Sequence, residues 1–590
     1  MIPAPLRRAV VLAFATVLPA LAAAQAPKPA PTQAQAQAQA QAPKPLPLKY
    51  SGPPTKAPIS VEDLMTRLYV YADDSLMGRQ VGTEYNVRAT AYIEREVRRM
   101  GLKPGGDNGT FFQDLPLVLR ALDSTSTLTV DGQTFTAGND FLARSNARPK
   151  QFADVEVIFG GQALDTMNIL DNAAVRGKIV LMRPAQFGPG FDQVAFVASG
   201  GYKAYLASLQ GATVMAIGAE VMAPNAVRNA MQPTTPTFVR TIEAPLTLGI
   251  TRRVAEAMLG VPVDQATKGM AGKRVTTNVK FNDTPQALGR NVVAILEGSD
   301  RKLRGQYVAV GAHNDHIGFS RRAVDHDSVK AFMQIVRPQG ADNDPVPATP
   351  EQVAQVRALT DSLRTLHGGA RTDSIFNGAD DDGSGTVAVL EVAEAMAAAR
   401  VKPKRSVIFV WHSGEEAGLW GSDHFTENPT VPRDSIVAQL NMDMVGRGAA
   451  TDYTGSAMDG GALHGGPGYL QLVGSRRLST ELGDLMEKVN RDKKLGFNFD
   501  YAIDANGHPQ NIYCRSDHYM YARWGIPVVF MTTGGHSDYH QVTDEPQYID
   551  YAHLRSVSNL VKEAAIAVAN LDHRIMLDKP KPDPRGQCVQ

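Results

Sequence analysis

Cysteine is nearly missing from this chain: 590 residues contain only Cys514 and Cys588. A fold of this size cannot then be a disulfide scaffold, and any bound metal must be held mainly by histidine and carboxylate. One bridge between the two cysteines stays open. Net charge is missing as well, with 60 lysines and arginines against 60 aspartates and glutamates. That balance excludes a nucleic-acid protein relying on a large basic field and points to a small or uncharged substrate. The apolar run near the start, Ala9 to Leu21, is too short to span a bilayer comfortably, and no cysteine follows it to carry a lipid.

The chain does have an ordered succession of compositions. Arg7 and Arg8 precede the apolar run and Ala22-Ala23-Ala24 follow it, the layout of a cleavable secretory signal over 1–24. Export to the periplasm or the extracellular space is expected, without stable membrane insertion. Residues 25–57 are mostly alanine, glutamine, proline and lysine and read as a disordered linker. Order is expected from Ser60, whose spacing to Asp63 opens a helix with Val61, Leu64 and Leu68 on one face. A second helix is predicted from Glu84 to Met100, stopped by Gly101.

From Asp154 to Leu259 the texture turns β-rich, with runs at Val155 to Phe159, Lys178 to Met182 and Thr213 to Ile217, and a helix at Tyr202 to Gln210. This reads as a module inserted within the first domain, over 136–288 between the pieces 58–135 and 289–577, with 578–590 as a tail. After Gly289 strands and helices alternate, which predicts an α/β sheet domain.

In that domain, strand-like runs at Tyr307 to Gly311, Ser406 to Trp411, Ile436 to Leu440 and Ile526 to Met531 are followed by polar residues. These are His313 with Asp315, Glu415 with Glu416, Asp443, and His540. In open α/β sheets such loops converge on one crevice. The triplet Asp380-Asp381-Asp382 opens a helix reaching about Ala399, and three carboxylates together call for a cation. Each element alone has an ordinary explanation. A histidine after a strand usually packs or is solvated, paired glutamates usually face water, and an aspartate run can be a calcium loop or a helix N-terminus. Their joint placement at strand ends is what points to two metals, an activated water and a general base. Glu416 would bind metal while Glu415 shuttles the proton, and Asp315 would accept the second ring proton of His313. Spacing alone leaves the choice open among the three aspartates and between His536 and His540.

The stretches Gly311-Ala312-His313-Asn314-Asp315-His316, Gly378 to Gly385, Gly414-Glu415-Glu416, Asn441-Met442-Asp443-Met444 and His540 followed by Asp544 resemble the exported dizinc aminopeptidases. These include aminopeptidase Y and the bacterial leucyl aminopeptidases, with glutamate carboxypeptidase as a relative. The resemblance also covers Asp74 to Gln113. It implies a three-layer α/β/α exopeptidase domain with a mixed central sheet and an inserted protease-associated domain. It further implies two Zn²⁺ per chain held by His313, Asp381, Glu416, Asp443 and His540, a cis peptide after Asp381, Glu415 as base, and peptide substrates. His316, His412, His424 and His518 are expected to support or pack, and Trp411 and Trp420 to form core or pocket wall. One departure stands out: a long polar segment between Ser320 and Phe376, with a helix predicted from Pro350 to Leu366, is expected to overhang the pocket and restrict substrate size. Carboxypeptidase activity would need an arginine cluster, and of Arg447 and Arg515 near the site loops neither makes one. A one-zinc cyclase related to glutaminyl cyclases and a metal-free receptor are the other readings.

Overall fold

The apolar runs after residue 289 are strands of one sheet. The computed structural model describes residues 46–590 apart from 145, 147, 150, 166, 168–169, 186–208, 210–213, 220–222, 241–242, 245, 343–346 and 587. The signal over 1–24, most of the linker over 25–57 and almost all of the Tyr202 to Gln210 helix lie outside the described residues. Residues 47–57 hold no helix or strand, yet they are pinned ahead of Ser60. The Tyr69 hydroxyl donates to the Pro47 carbonyl, Lys56 N donates to Asp63, and Thr55 meets the buried Arg67 and Glu394. Polar side-chain contacts of this kind leave no apolar periodicity to find in sequence.

The sheet has nine strands: β1 Lys103–Pro104, β2 Phe112–Asp114, β3 Arg290–Leu296, β4 Tyr307–His313, β5 Ser406–His412, β6 Ile436–Met442, β7 Tyr469–Val473, β8 Asn498–Asp500 and β9 Val528–Thr532. Its spatial order is β1-β3-β5-β4-β6-β9-β7-β8, with β2 also on β3. The middle strands β5, β4, β6 and β9 are mutually parallel, and antiparallel pairings flank them at β3–β5 and β7–β9. Strands β5 and β6 are buried at every position, so they read as continuous apolar runs instead of alternating ones.

Helices cover both faces. The helix Gly385–Ala398 lies on β4 and is buried nearly all round, matching its run of alanine, valine and leucine. Tyr551–Asn570 and Val61–Tyr71 pack with it. On the other face Phe425, Tyr519 and Tyr521 close over Val293, Ile408, Val410 and Phe530. The result is the mixed three-layer arrangement.

A second, eight-stranded sheet runs in space Gln133–Thr136, Thr127–Val130, Ala271–Asn278, Val155–Gln162, Ile179–Arg183, Val214–Ala219, Leu246–Thr251 and Phe141–Arg144. Its core gathers Leu128, Phe135, Phe141, Phe159, Leu181, Leu248 and Met258. The sheet takes in Thr127–Val130 and Gln133–Thr136, N-terminal to the start expected at 136. The strands Leu117–Leu122 and Phe281–Gln286, which lead into and out of this sheet, pair antiparallel, and Thr237–Phe238 adds a third strand beside Leu117–Leu122.

Candidate metal centre

The parallel strands β4, β5, β6 and β9 all point their carboxyl ends the same way, and the predicted residues follow those ends. His313 closes β4, Glu415 and Glu416 follow β5, Asp443 follows β6, and His540 lies in the loop after β9. Asp381 comes from the turn before the buried helix Gly385–Ala398, and the peptide bond after it is cis.

Asp381 stands between two groups. Its Oδ1 is 3.1 Å from His313 Nε2, which is itself 3.6 Å from Asp443 Oδ1. Its Oδ2 is 3.0 Å from His540 Nε2, which is 3.0 Å from Glu416 Oε2. The two oxygens of one carboxylate thus face two imidazole–carboxylate groups. His316 joins the second group, with Nδ1 2.6 Å from Glu416 Oε1 and 3.6 Å from Asp381 Oδ2. The sequence reading gives His316 a supporting or packing role, not that of a ligand. Its place three residues after His313, just past the strand, was the available signal.

Backbone contacts hold these groups in place. The Asp544 carboxylate accepts from the amides of Asp380 and Asp381 at 3.0–3.1 Å, and Ser516 Oγ donates to Asp443 Oδ2 at 2.7 Å. Asp382 accepts from the amides of His313, Gly385 and Met444, stitching the strand ends together, and one of its oxygens also lies within 4.8 Å of the His313 and Asp443 donor atoms. His536 lies 3.1 Å from Asp380 Oδ2 and not in the cluster. Asp315 works differently from its expected part. Its Oδ1 is 3.7 Å from His313 Nδ1, beyond hydrogen-bonding reach, whereas its carbonyl oxygen is at 3.1 Å. The carboxylate instead accepts from the amides of Gly414 and Glu415 at 2.8 and 3.1 Å, fixing the loop that carries the glutamate pair.

Histidines and carboxylates of the cluster shift one another's protonation in opposite directions. Burial would pull His540 down, but its contacts with Asp381 and Glu416 push it up to about 10. Asp381, though buried, is held well below its usual range by the three histidines around it. Glu415 has no such partner: burial, with Asp443 and Glu416 adding to it against His313, raises it well above a normal glutamate. His313 Nε2, His316 Nε2 and His540 Nε2 are buried without a hydrogen-bond partner. His313 and His540 turn Nε2, and His316 turns Nδ1, toward carboxylate oxygens, and imidazole nitrogens grouped with carboxylates, with no thiolate near, are the donor set that a borderline divalent ion such as zinc takes up. The site residues therefore fit a metal.

Asp381, Glu415, Glu416 and Asp443 open on a cavity of about 450 Å³. Leu419, Ile503, Ile512, Met520 and Phe530 give it an apolar wall, and Arg515, Tyr539, Gln339 and Asp342 give it a polar one. Gln339 and Asp342 belong to the 320–376 segment, and Arg240 also lines the cavity. Of the other histidines, His412 bonds the Tyr521 hydroxyl, His424 faces Phe238 and His518 stacks on Phe530. Trp411 is fully buried, and Trp420 packs by Phe238.

An α/β sheet whose parallel strands deliver histidines and carboxylates to one crevice is an arrangement that can hold divalent metal. Residues 291–565 match the model of peptidase family M28. Among curated relatives, an aminopeptidase of Pseudomonas aeruginosa is 37% identical over 139 residues, 23% of this chain and 25% of that protein. Leupeptin-inactivating enzyme 1 of Streptomyces exfoliatus is 28% identical over 190 residues, 32% and 36% of the two chains. Leucine aminopeptidase 1 of Aspergillus clavatus is 28% identical over 236 residues, 37% and 55% of the two chains. The matched segments thus span from a quarter to just over half of these relatives. Among solved structures, an aminopeptidase from Aneurinibacillus sp. strain AM-1 aligns over 89% of this chain and 97% of its own at 15% identity and TM-score 0.41. A zinc aminopeptidase from Bacillus subtilis aligns over 86% and 95% at 17% identity and TM-score 0.41.

Proposed function

We propose that this protein is an exported metallo-aminopeptidase that removes N-terminal residues from peptides, with two zinc ions per chain. One would be held by His313, Asp381 and Asp443, the other by Asp381, Glu416 and His540. The observation that carries this reading is Asp381, whose two oxygens face the two groups separately. Bound zinc would polarise the scissile carbonyl and make a water nucleophilic at neutral pH.

The chain's own residues supply the rest. Glu415 lines the cavity beside the cluster and makes no ion pair there, so it is free to take the water's proton and pass it to the leaving nitrogen. Asp315 holds the Glu415 amide, and Ser516 orients Asp443. The apolar wall accepts a side chain, while Gln339 and Asp342 close the far side and limit peptide length. Arginines Arg240 and Arg515 also reach the cavity, but each is paired with an aspartate, Asp423 and Asp342 respectively, and Arg447 is taken by Asp538. This favours recognition of a free amine over a terminal carboxylate. The basic–apolar–small opening and the Cys514–Cys588 bridge support export. Among the described residues no helix is long and apolar enough to cross a membrane. The module between the strands Leu117–Leu122 and Phe281–Gln286 is assigned as a protease-associated domain on the same resemblance.

The test is a panel of aminoacyl and C-terminally free peptides given to the metal-stripped and the zinc-restored protein. Release of N-terminal residues only after zinc is returned is the expected result. Cleavage from the C-terminus, or none in either state, overturns it, and one zinc per chain would favour cyclase chemistry instead.

A further inference from the structure

The 320–376 segment is closed at its base by pairing of Phe319–Asp325 with Thr372–Ile375, and its helices His326–Val336 and Pro350–His367 pack on each other. Beyond lining the cavity, it grips the loop that carries His540 at several points. Lys330, only 4% exposed, reaches from the first helix to pair with Asp538, and its ammonium lies 3.8 Å over the Tyr548 ring. His326 Nε2 is 2.8 Å from Glu545 Oε2. Ala341 N donates to the Tyr539 carbonyl at 3.1 Å. At Gly340, with φ +61°, a Cβ would sit 2.6 Å from the His536 carbonyl and 2.7 Å from that of Tyr539, so only glycine lets the two backbones approach so closely.

From the other side the loop is tied to the sheet domain by Arg447 on Asp538 and by Asp544 on the Asp380 and Asp381 amides. Asp538 therefore sits between two buried cations, one from the sheet domain and one from the segment. His540 itself adopts φ +56°, in the left-handed region that a non-glycine residue holds only when its surroundings impose it. A lysine buried in a polar insertion is costly unless its partner repays it, and here the partner lies two residues from the predicted ligand.

We propose that the 320–376 segment is a brace for the His540 loop, with Lys330 as a positioning residue that acts through Asp538. The consequence for metal binding rests on the reading that His540 is a metal ligand. The consequence for the loop does not.

Lys330→Met keeps the length of the side chain and removes the charge, and Lys330→Arg keeps the charge. Hydrogen exchange on the metal-free protein is expected to show amides of 536–545 opening about tenfold faster in Lys330→Met, with β4 and β6 unchanged and Lys330→Arg close to wild type. Zinc titration is expected to show one equivalent weakened by about ten- to a hundredfold and the other untouched. Should Lys330→Met fail to fold, His326→Phe, which keeps the ring beside Tyr548 and loses the bond to Glu545, is expected to loosen 543–548 in the same assay. Exchange over 536–548 equal to wild type in the folded variants overturns the brace. A wild-type protein that binds no zinc overturns the metal reading alone, since the exchange result stands apart from it.

Discussion

Glu415 and Glu416 are neighbours in sequence with opposite surroundings. Glu416 meets His316 and His540 and is held below its ordinary value despite its burial, while Glu415 is pushed up. Glu415→Gln is therefore expected to keep zinc content near wild type while lowering turnover by about 100- to 10,000-fold. Glu416→Gln is expected to lower zinc content itself. Metal analysis beside steady-state kinetics separates the two, and identical behaviour would refute the division. A second residue-scale effect concerns His518, enclosed against Phe530 and lowered by burial from 6.5 to about 3. The unfolded chain takes up this proton below about pH 6.5 and the folded chain does not, so stability is complete above that pH and declines as pH falls toward 3. A His518→Phe variant is expected to show a flatter loss of stability between pH 6.5 and 4 in chemical unfolding.

Among elements, the 320–376 segment is the one whose role depends most on where it lands. Gln339 reaches Ser456 and Gln510 across the cavity wall at 3.3 and 3.4 Å. Gln339→Ala opens that wall without touching Lys330, His326 or Ala341. The ratio of kcat/KM for a pentapeptide over a dipeptide is expected to rise by roughly an order of magnitude. An unchanged ratio would show that the segment does not limit peptide length. The helix predicted inside the segment from Pro350 to Leu366 runs Pro350–His367, opened by a Thr349–Gln352 capping box. Its grip on the His540 loop was not legible, because ion pairs and single backbone bonds carry no periodic signal.

At the scale of the whole molecule, the two cysteines join residues 74 apart and tie the C-terminal tail to the turn beside Ser516. The side chain of Gln590 reinforces this by accepting from Tyr513 N. Cys588→Ser is expected to cost about 2–4 kcal/mol by releasing that long loop in the unfolded chain. Thermal unfolding measures it, and loosening of the Ile512 to Ser516 wall should raise KM alongside. An unchanged melting temperature would mean the tail is held without the bridge.

Sequence by itself determined the sheet domain, since continuous apolar runs become buried parallel strands by burial alone, and their carboxyl ends set where polar residues gather. Resemblance narrowed three aspartates to Asp381 and two histidines to His540, a choice that composition left open because their chemistry is the same. Tertiary structure alone decided what each carboxylate meets. It turned Asp315 to the Glu415 loop, gave Asp382 to backbone amides, brought His316 to Glu416 and set Lys330 on Asp538. Those outcomes depend on distances of a few ångströms between segments far apart in the chain, and such distances exist only once the chain has folded.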